Sequence, residues 1–261
     1  MKIVVAIKQV PARDSQLRIG ASGSWIEESD LAQEINEPDA YALESGLQLR
    51  EAAGGEVIVV CAGPEGASQT IREALAKGAD RAIHIDTGNA PPADPLTLAR
   101  TLAAVLAGES PDLVLTGLQS DDLGYGQTGV ILAEVMGLPH ATIVMNVEAS
   151  PSGIKPSGIK VKRELEDGWF QYVEMPLPAL LTIQSGATKL RYATLMGIKK
   201  AKLKEVRRIA VAEIAHSAVP TIQLARIYTP EKSKHSQIFD GSPAQAAAQL
   251  VEKLRFEARV I

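Results

Sequence analysis

The sequence has a single cysteine, Cys61, which excludes an intrachain disulfide and a cysteine-based metal cluster. Cys61 ends a short apolar run and is predicted to be a small core residue. The histidines are equally sparse and show no H-x-x-x-H pair or other short ligand spacing: His84, His140, His216 and His235. The residues give no sign of a metal site or of a catalytic acid, base or nucleophile.

Long apolar runs and a strong net charge are also missing. The N-terminal run at 3–7 lies between two lysines and is too short for a secretory signal, and nothing approaches a membrane span. A formal net charge of -4 gives no reason to expect nucleic-acid binding. We therefore expect no membrane insertion and no nucleic-acid partner. The expected location is a bacterial cytoplasm or, for a eukaryotic source, the mitochondrial matrix.

What the sequence does contain is a regular alternation of strand and helix patterns. Short runs rich in valine, isoleucine and leucine are typical of strands buried on both faces, and they lie at 3–7, 57–61, 82–85, 113–116 and 141–147. Helical patterns separate them at 40–52, 67–77, 95–107 and 126–136. This order predicts an α/β fold with a doubly wound, mainly parallel sheet.

Two segments depart from this alternation. Residues 11–37 are longer than a usual connection, and we expect a small hairpin or a functional excursion there. Residues 159–175 alternate apolar and polar side chains around Asp167-Gly168, which predicts an added β-hairpin closed by an Asp-Gly turn. Pro176 and Pro178 cannot lie inside a central strand, so the next buried strand is predicted at 179–183.

The chain is predicted to have a core domain, 1–205, followed by a C-terminal arm and helix, 206–261. Periodicity weakens after about residue 209, and a helical pattern resumes at 244–256. An arm that does not fold back on its own core needs another chain to cover its apolar residues. This organisation favours a subunit of a complex.

A glycine-rich segment, 117–129, follows the fourth predicted strand and enters a helix. Ligands of open α/β sheets bind beyond the carboxyl ends of strands, where a helix N-terminus offers backbone N–H groups to an anion. Gly124, Gly126 and Gly129 form a literal G-x-G-x-x-G, but it begins seven residues beyond the strand, unlike a dinucleotide fingerprint. A phosphate-binding loop and a solvent-exposed glycine-rich loop both explain the pattern.

The chain is acidic overall but basic between residues 155 and 208. Lysines and arginines recur through this stretch, most densely at 199–208. A docking surface for a partner and a solvated helix face with extended lysines are the two interpretations.

The same stretch carries a family resemblance. The order V-x-R-E-x-E-x-G at 161–168, L-P-A at 177–179, L-T-I-Q at 181–184, R-Y-A-T-L at 191–195 and G-I-x-x-A-K at 197–202 resembles the signature of the electron transfer flavoprotein β subunit. The resemblance extends over the whole chain. It implies an adenine-nucleotide-binding fold, an α subunit that holds most of an FAD and is contacted by the C-terminal arm, a dehydrogenase as electron donor, and a downstream acceptor.

The resemblance also implies an AMP site beyond the parallel strands. Carried onto this sequence, its residues are Ala6, Asn36, Glu37, Pro38, Asp39, Ala62, Gly117, Gln119, Ser120, Asp121, Asp122, Leu123, Gly124, Tyr125, Gly126, Gln127 and Thr128. Asn36 could read adenine or cap the following helix. Asp39 is expected to cap or orient, and Asp121 and Asp122 to offer their backbone, because carboxylates repel a phosphate.

Two further sets are implied to meet partners. Arg163 and Glu164 match the R-E of the signature and could pair across strands or reach a charge on the FAD-bearing domain. The docking loop is Ala187, Thr188, Lys189, Leu190, Arg191 and Tyr192. Here the commonest family run, L-N-x-P-R-Y, is altered at Ala187 and Leu190. Leu190 is therefore hypothesised to be the apolar anchor, and the run is similar to subunits serving trimethylamine dehydrogenase rather than acyl-CoA dehydrogenases.

Two other functions stay open at this stage. Some members of the superfamily bind a second FAD in the AMP position and bifurcate electrons from NADH. A domain that senses AMP or ATP without flavin is the third possibility, and it predicts a stable monomer. A related nucleotide-binding flavoprotein subunit with another partner is the alternative family assignment.

Overall fold

A computed structural model of the chain describes residues 1–88, 93–150, 157–214, 220–230 and 236–261. His216 and His235 lie outside these ranges. The chain divides into two compact units, Met1–Ala225 and Arg226–Ile261, so the division comes later than the predicted one after residue 205.

The strands are β1 Lys2–Ile7, β2 Gln9–Pro11, β3 Gln33–Ile35, β4 Glu56–Gly63, β5 Arg81–Asp86, β6 Leu113–Gly117, β7 His140–Ser150, β8 Gly158–Glu164, β9 Phe170–Pro176, β10 Ala179–Ile183 and β11 Val206–Ala210. The helices are α1 Glu37–Ala53, α2 Ala67–Lys77, α3 Pro95–Ala107, α4 Thr128–Met136, α5 Leu195–Ala201 and α6 Pro243–Phe256.

The central sheet has nine strands in the order β11-β5-β4-β1-β6-β10-β7-β8-β9. All neighbours from β11 to β7 are parallel, and β8 and β9 add an antiparallel hairpin at one edge. The predicted α/β, mainly parallel sheet with an added hairpin is confirmed. The chain passes from β1 to β4 and β5 on one side and then returns to β6 on the other. The ends of β1 and β6 therefore form the switch point of the sheet.

Both faces of the sheet are covered by helices. Alternate residues of a strand point to opposite faces, and the buried residues form two clusters accordingly. One cluster joins β1 to α1 and α2, with Ile3, Val5, Leu43, Leu47, Ile71 and Leu75. The other joins β1 to α3 and α4, with Val4, Ala99, Leu106, Leu132 and Ala133. This two-sided packing is the doubly wound arrangement.

The predicted hairpin and its turn are confirmed. Asp167 and Gly168 both adopt left-handed backbone angles, with φ of 56° and 77°. Two such residues in succession match the twist of the flanking strands. The backbone N–H of Trp169 donates to the carbonyl of Glu166 at 3.1 Å and closes the turn, and the N–H of Leu165 donates to the carbonyl of Trp169 at 2.8 Å beside it.

The long excursion after β1 contains a small hairpin, as expected. β2 and β3 pair antiparallel, and Ile19 bridges Ile26 farther out. This hairpin brings residue 13 back towards α1. Farther along the chain, the basic stretch contains the short helix α5, Leu195–Ala201, which is followed by β11, a strand that the sequence pattern did not indicate.

The second unit, Arg226–Ile261, contains α6, which starts at the N-cap Ser242 with a capping box. None of its helical residues is buried, and Phe256 is 70% exposed. In the described part of the chain, no helix is long and apolar enough to cross a membrane.

Candidate functional site

The carboxylate of Asp39 joins the two strands at the switch point. One oxygen accepts from the backbone N–H of Lys8, just beyond β1, at 2.8 Å, and the other accepts from that of Gly117, at the end of β6, at 2.9 Å. Asp39 is buried. It therefore orients the backbone of the site, which is one of the roles expected for it.

Burial raises the pKa of Asp39 to about 7, against the two backbone hydrogen bonds, which lower it. The folded chain thus binds this proton more tightly than the unfolded chain, whose carboxyl has a pKa near 3.8. The tighter binding of this proton stabilises the folded chain fully below about pH 4, and this stabilisation is lost as the pH rises towards 7.

We expect the free energy of unfolding of the wild type to fall by about 2 kcal/mol between pH 5 and pH 8 relative to Asp39→Asn. Urea unfolding of both chains at the two pH values measures this difference in slope. The absolute stability of the variant is also expected to be lower, because an amide nitrogen replaces one acceptor. Parallel pH dependences of the two chains would contradict the raised pKa.

Asn36 holds the loop after β6. Its side-chain nitrogen donates to the carbonyl of Gln119 at 2.9 Å, and its oxygen accepts from the backbone N–H of Asp121 at 2.9 Å. The capping contact considered for Asn36 is absent from α1. Both polar atoms of the amide are engaged with the loop, so the residue shapes the site.

Two cations pair with the carboxylates of this loop. Lys8 contacts Asp122 at 2.6 Å, and Arg13 contacts Asp121 at 3.3 Å and also Glu37. Sequence reasoning missed Lys8 and Arg13. The position of Lys8 directly after β1 was the available signal, since residues beyond strand ends line such sites. With these charges paired, the loop can present its backbone to an anion.

The loop ends at the start of α4 in an arrangement suited to an anion. Gly124 and Gly126 have φ of 63° and 62°, which glycine adopts without strain. The N-cap Gln127 makes no side-chain capping bond, so the first-turn N–H groups of α4 lack that acceptor. A Cβ on Gly129 would lie 2.6 Å from Thr116 Oγ1 and Thr182 Cγ2, which shows how closely α4 meets β6 and β10.

Cys61, on the neighbouring strand β4, is fully buried. Burial raises the pKa of its thiol to about 12, so the thiolate is not formed at neutral pH. This confirms the prediction of a core residue. The adjacent Ala62 is only partly buried at the same strand end.

The segment 188–204, called the docking segment below, is fixed to two helices. Near its start, Arg191 pairs with Glu44 at 2.8 Å and with Glu51 at 2.6 Å, both on α1. Near its end, Arg72 of α2 donates to the carbonyls of Ala201 and Lys204. Between the two attachments lie exposed apolar side chains: Tyr192, Leu195, Met196, Ile198 and Leu203.

Leu190 and Ala187 are partly buried and pack against the core. A side chain in that position has little surface to offer a partner. The hypothesis that Leu190 is the apolar anchor therefore stays a prediction, and the more exposed side chains nearby compete with it. Leu195, which is 83% exposed, and Met196, which is 60% exposed, offer far more apolar surface.

Arg163 and Glu164 are used differently. Arg163 donates to the carbonyl and hydroxyl of Thr142 at 3.1 and 3.0 Å and to Gln171 at 3.2 Å, so it is engaged within the sheet. Among the described residues, the carboxylate of Glu164 is hydrogen-bonded only by Gln184, whose side-chain nitrogen donates to it at 3.5 Å. It lines an open cleft of about 720 Å³ together with Ile143, Leu165, Glu166, Asp167, Trp169 and Gln184.

Comparison with known proteins matches residues 24–214 to the electron transfer flavoprotein domain. The chain is also similar along its length to curated proteins named electron transfer flavoprotein subunit beta. That of Methylophilus methylotrophus is 36% identical over 97% of both chains, and that of Bradyrhizobium diazoefficiens is 34% identical over the full length of both. The chain belongs to the electron transfer flavoprotein β-subunit family. The mitochondrial subunit of Arabidopsis thaliana is 32% identical, again over the full length of both chains.

Within this family member, the residues implied for a nucleotide site are brought together and the docking residues are kept apart from them. At the switch point, Asn36 bonds Gln119 and Asp121, and Asp39 bonds Gly117. The docking segment contacts the other part of α1, between Glu44 and Glu51.

The basic stretch is only partly available to a partner. Lys204 donates to the carbonyl of Leu75 at the end of α2, Arg207 pairs with Glu109, and Arg208 pairs with Asp86. The exposed lysines beside the apolar side chains are Lys199, Lys200 and Lys202. Lys204, Arg207 and Arg208 are thus engaged within the chain, and both interpretations stay open for the three exposed lysines.

Proposed function

We propose that this chain is the β subunit of a heterodimeric electron carrier. An α subunit holds most of an FAD, a dehydrogenase supplies electrons, and a downstream acceptor receives them. The chain itself binds AMP as a structural ligand. The two backbone bonds of Asp39 at the switch point of the sheet carry this proposal, because they fix the ends of β1 and β6 where ligands of such sheets bind.

The phosphate of AMP is assigned to the start of α4. Gly126, Gln127 and Thr128 bring backbone and side-chain donors to one place, and the loop carboxylates are neutralised by Lys8 and Arg13. A single helix-terminus interaction contributes only about 0.3 to 1 kcal/mol. Several donors and burial of the adenine must therefore act together. The family implies Ala6 and Ala62 at the strand ends, where small side chains leave room.

The donor docks on the exposed apolar side chains of the docking segment. Leu195 and Met196 enter an apolar pocket of the dehydrogenase, and Lys199, Lys200 and Lys202 face an acidic rim around it. A trimethylamine dehydrogenase-type donor is the finer assignment. Charge steering raises association rates at low salt, so donor-dependent flavin reduction slows as ionic strength increases.

Glu164 is the residue of the R-E pair that reaches the FAD-bearing subunit. Arg163 is already bonded to Thr142 and Gln171, whereas Glu164 lies in an open cleft with two more carboxylates, Glu166 and Asp167. A cationic side chain of the α subunit fits this cleft. We also propose that the chain functions in a bacterial cytoplasm or a mitochondrial matrix, because the similar β subunits include bacterial and mitochondrial proteins.

The test is to purify the αβ complex, release its ligands by denaturation and quantify AMP and FAD. One AMP and one FAD per heterodimer is the expected result. Two FAD and no AMP would instead identify the bifurcating flavoprotein with NADH as donor. A chain that is stable as a monomer and carries no flavin-dependent activity with an α subunit would support the nucleotide-sensing alternative.

A second measurement identifies the donor class. The complex is mixed with reduced trimethylamine dehydrogenase or with a reduced acyl-CoA dehydrogenase, and the bleaching of its flavin is followed. Faster reduction by the first is expected. Preference for the second would leave the carrier function intact and overturn the finer assignment.

A further inference from the structure

The N-terminal attachment of the docking segment depends on one guanidinium group. Arg191 donates to Glu44 through Nε and Nη2 at 2.8 and 2.9 Å, and to Glu51 through Nη1 at 2.6 Å. The backbone N–H of Arg191 adds a 3.3 Å bond to Glu44. Gln48, between the two acids on α1, donates to both Glu44 and Thr188 at 2.9 Å.

Glu44 makes this attachment hard to lose. Its side chain is only 5% exposed. Burial acts to raise its pKa, but hydrogen bonds from Arg191 and Gln48 bring the pKa below its usual range. A buried carboxylate without its partner is strongly unfavourable. The pair therefore holds the start of the docking segment on α1 and keeps it ordered.

Arg191 does not belong to the surface that a partner would meet. Its side chain is 29% exposed, whereas the next residue, Tyr192, is 90% exposed. All three nitrogens of its guanidinium group donate to acids of its own chain. The family resemblance grouped both residues as docking residues, and the structure separates them.

We propose that Arg191 is a positioning residue for electron-donor docking, which holds residues 188–192 on α1 so that Leu195 and Met196 are presented in one arrangement. This rests on the proposed function of the chain as a donor-accepting carrier. A segment that is ordered before docking loses less conformational freedom when the donor binds. Arg191 thus acts through the segment and does not touch the donor.

The experiment compares three variants in the αβ complex. Arg191→Ala breaks the attachment. Glu44→Leu combined with Arg191→Met replaces the buried pair with apolar side chains that still pack, which often preserves stability. Arg100→Ala removes an exposed arginine of α3 and serves as the matched control.

Segment order is read with a nitroxide attached after Tyr192→Cys, before assembly with an unlabelled α subunit. Cys61, the only natural cysteine of this chain, is fully buried and does not compete for the label. Electron paramagnetic resonance reports nitroxide mobility. Unlabelled complexes give KM and kcat for whichever of the two dehydrogenase probes reduces the wild type, and extraction gives FAD and AMP content.

Arg191→Ala is expected to mobilise the nitroxide and to raise KM by about tenfold with kcat within about twofold, as for lost docking rather than lost chemistry. The double variant Glu44→Leu and Arg191→Met is expected to keep the nitroxide immobile and KM within about threefold of the wild type, because apolar packing between the two side chains still holds the segment on α1. Arg100→Ala is expected to match the wild type.

Two results would overturn the proposal. One is an immobile nitroxide and an unchanged KM in Arg191→Ala. The other is a double variant whose nitroxide is immobile but whose KM is raised as much as that of Arg191→Ala, which would mean that the guanidinium touches the donor. Failure of the proposed function looks different: the wild-type complex itself would lack FAD or would not be reduced, whatever the nitroxide shows.

Discussion

Gly117→Ala is expected to abolish AMP retention by the chain. A Cβ at this position would lie 2.3 Å from Asp39 Oδ1, 2.7 Å from Pro38 Cβ and 2.8 Å from the backbone nitrogen of Asp39. These atoms belong to a buried carboxylate and to the first turn of α1, so they cannot move aside cheaply. Separation of β6 from α1 breaks the bond that Gly117 donates to Asp39 and displaces the loop behind it.

The expected cost is about 3 kcal/mol in the free energy of unfolding, the upper part of the range for overpacking a buried site. Urea unfolding of the chain and AMP quantification in the αβ complex measure the two effects. Gly108→Ala is the matched control, because a Cβ there meets only Val105 O at 3.7 Å. That variant is expected to keep AMP and to change stability by less than about 1 kcal/mol. Full AMP occupancy in Gly117→Ala would place the nucleotide elsewhere.

Replacing both Leu195 and Met196 with alanine is expected to slow flavin reduction by the donor by about 30-fold or more. Full burial of a leucine or methionine side chain contributes about 1.5 to 3 kcal/mol. Removal of two such side chains, each partly buried by the donor, then weakens docking by about 2 to 3 kcal/mol. Since both are exposed in the free chain, their loss leaves the core intact.

Stopped-flow reduction of the αβ complex at low donor concentration measures this rate constant. Val135→Ala, an exposed apolar residue of α4, is the control and is expected to be reduced at the wild-type rate. FAD and AMP content are expected to be unchanged in both variants. An unaltered rate in the double variant would show that the donor docks on another surface.

Much of the fold could be read from the sequence because its signals are local. Each central strand is buried on both faces, so it appears as a continuous apolar run such as Val57–Cys61, and each helix shows its own spacing. β11 was missed for the same reason. It is an edge strand with Arg207 and Arg208 exposed, so it lacks the apolar run.

The sequence indicated where the candidate site lies but not which of its residues contact one another. The position of the glycine-rich loop after a buried strand and the family signature indicated the residues of the site. Their partners are far apart in the chain: Asp39 and Gly117 are separated by 78 positions, and Arg191 and Glu44 by 147. A hydrogen bond over such a distance leaves no periodic pattern.

The sequence by itself determined the family, the alternation of strands and helices, and the hairpin turn, since these depend on neighbouring residues and on burial. Only the tertiary structure decided which polar groups meet. Asn36 bonds the loop after β6, Leu190 packs against the core while partly buried, Arg163 is bonded within the sheet, and Leu195 is exposed. The reason is that the partner of a polar side chain is set by the meeting of distant segments, which chain order does not specify.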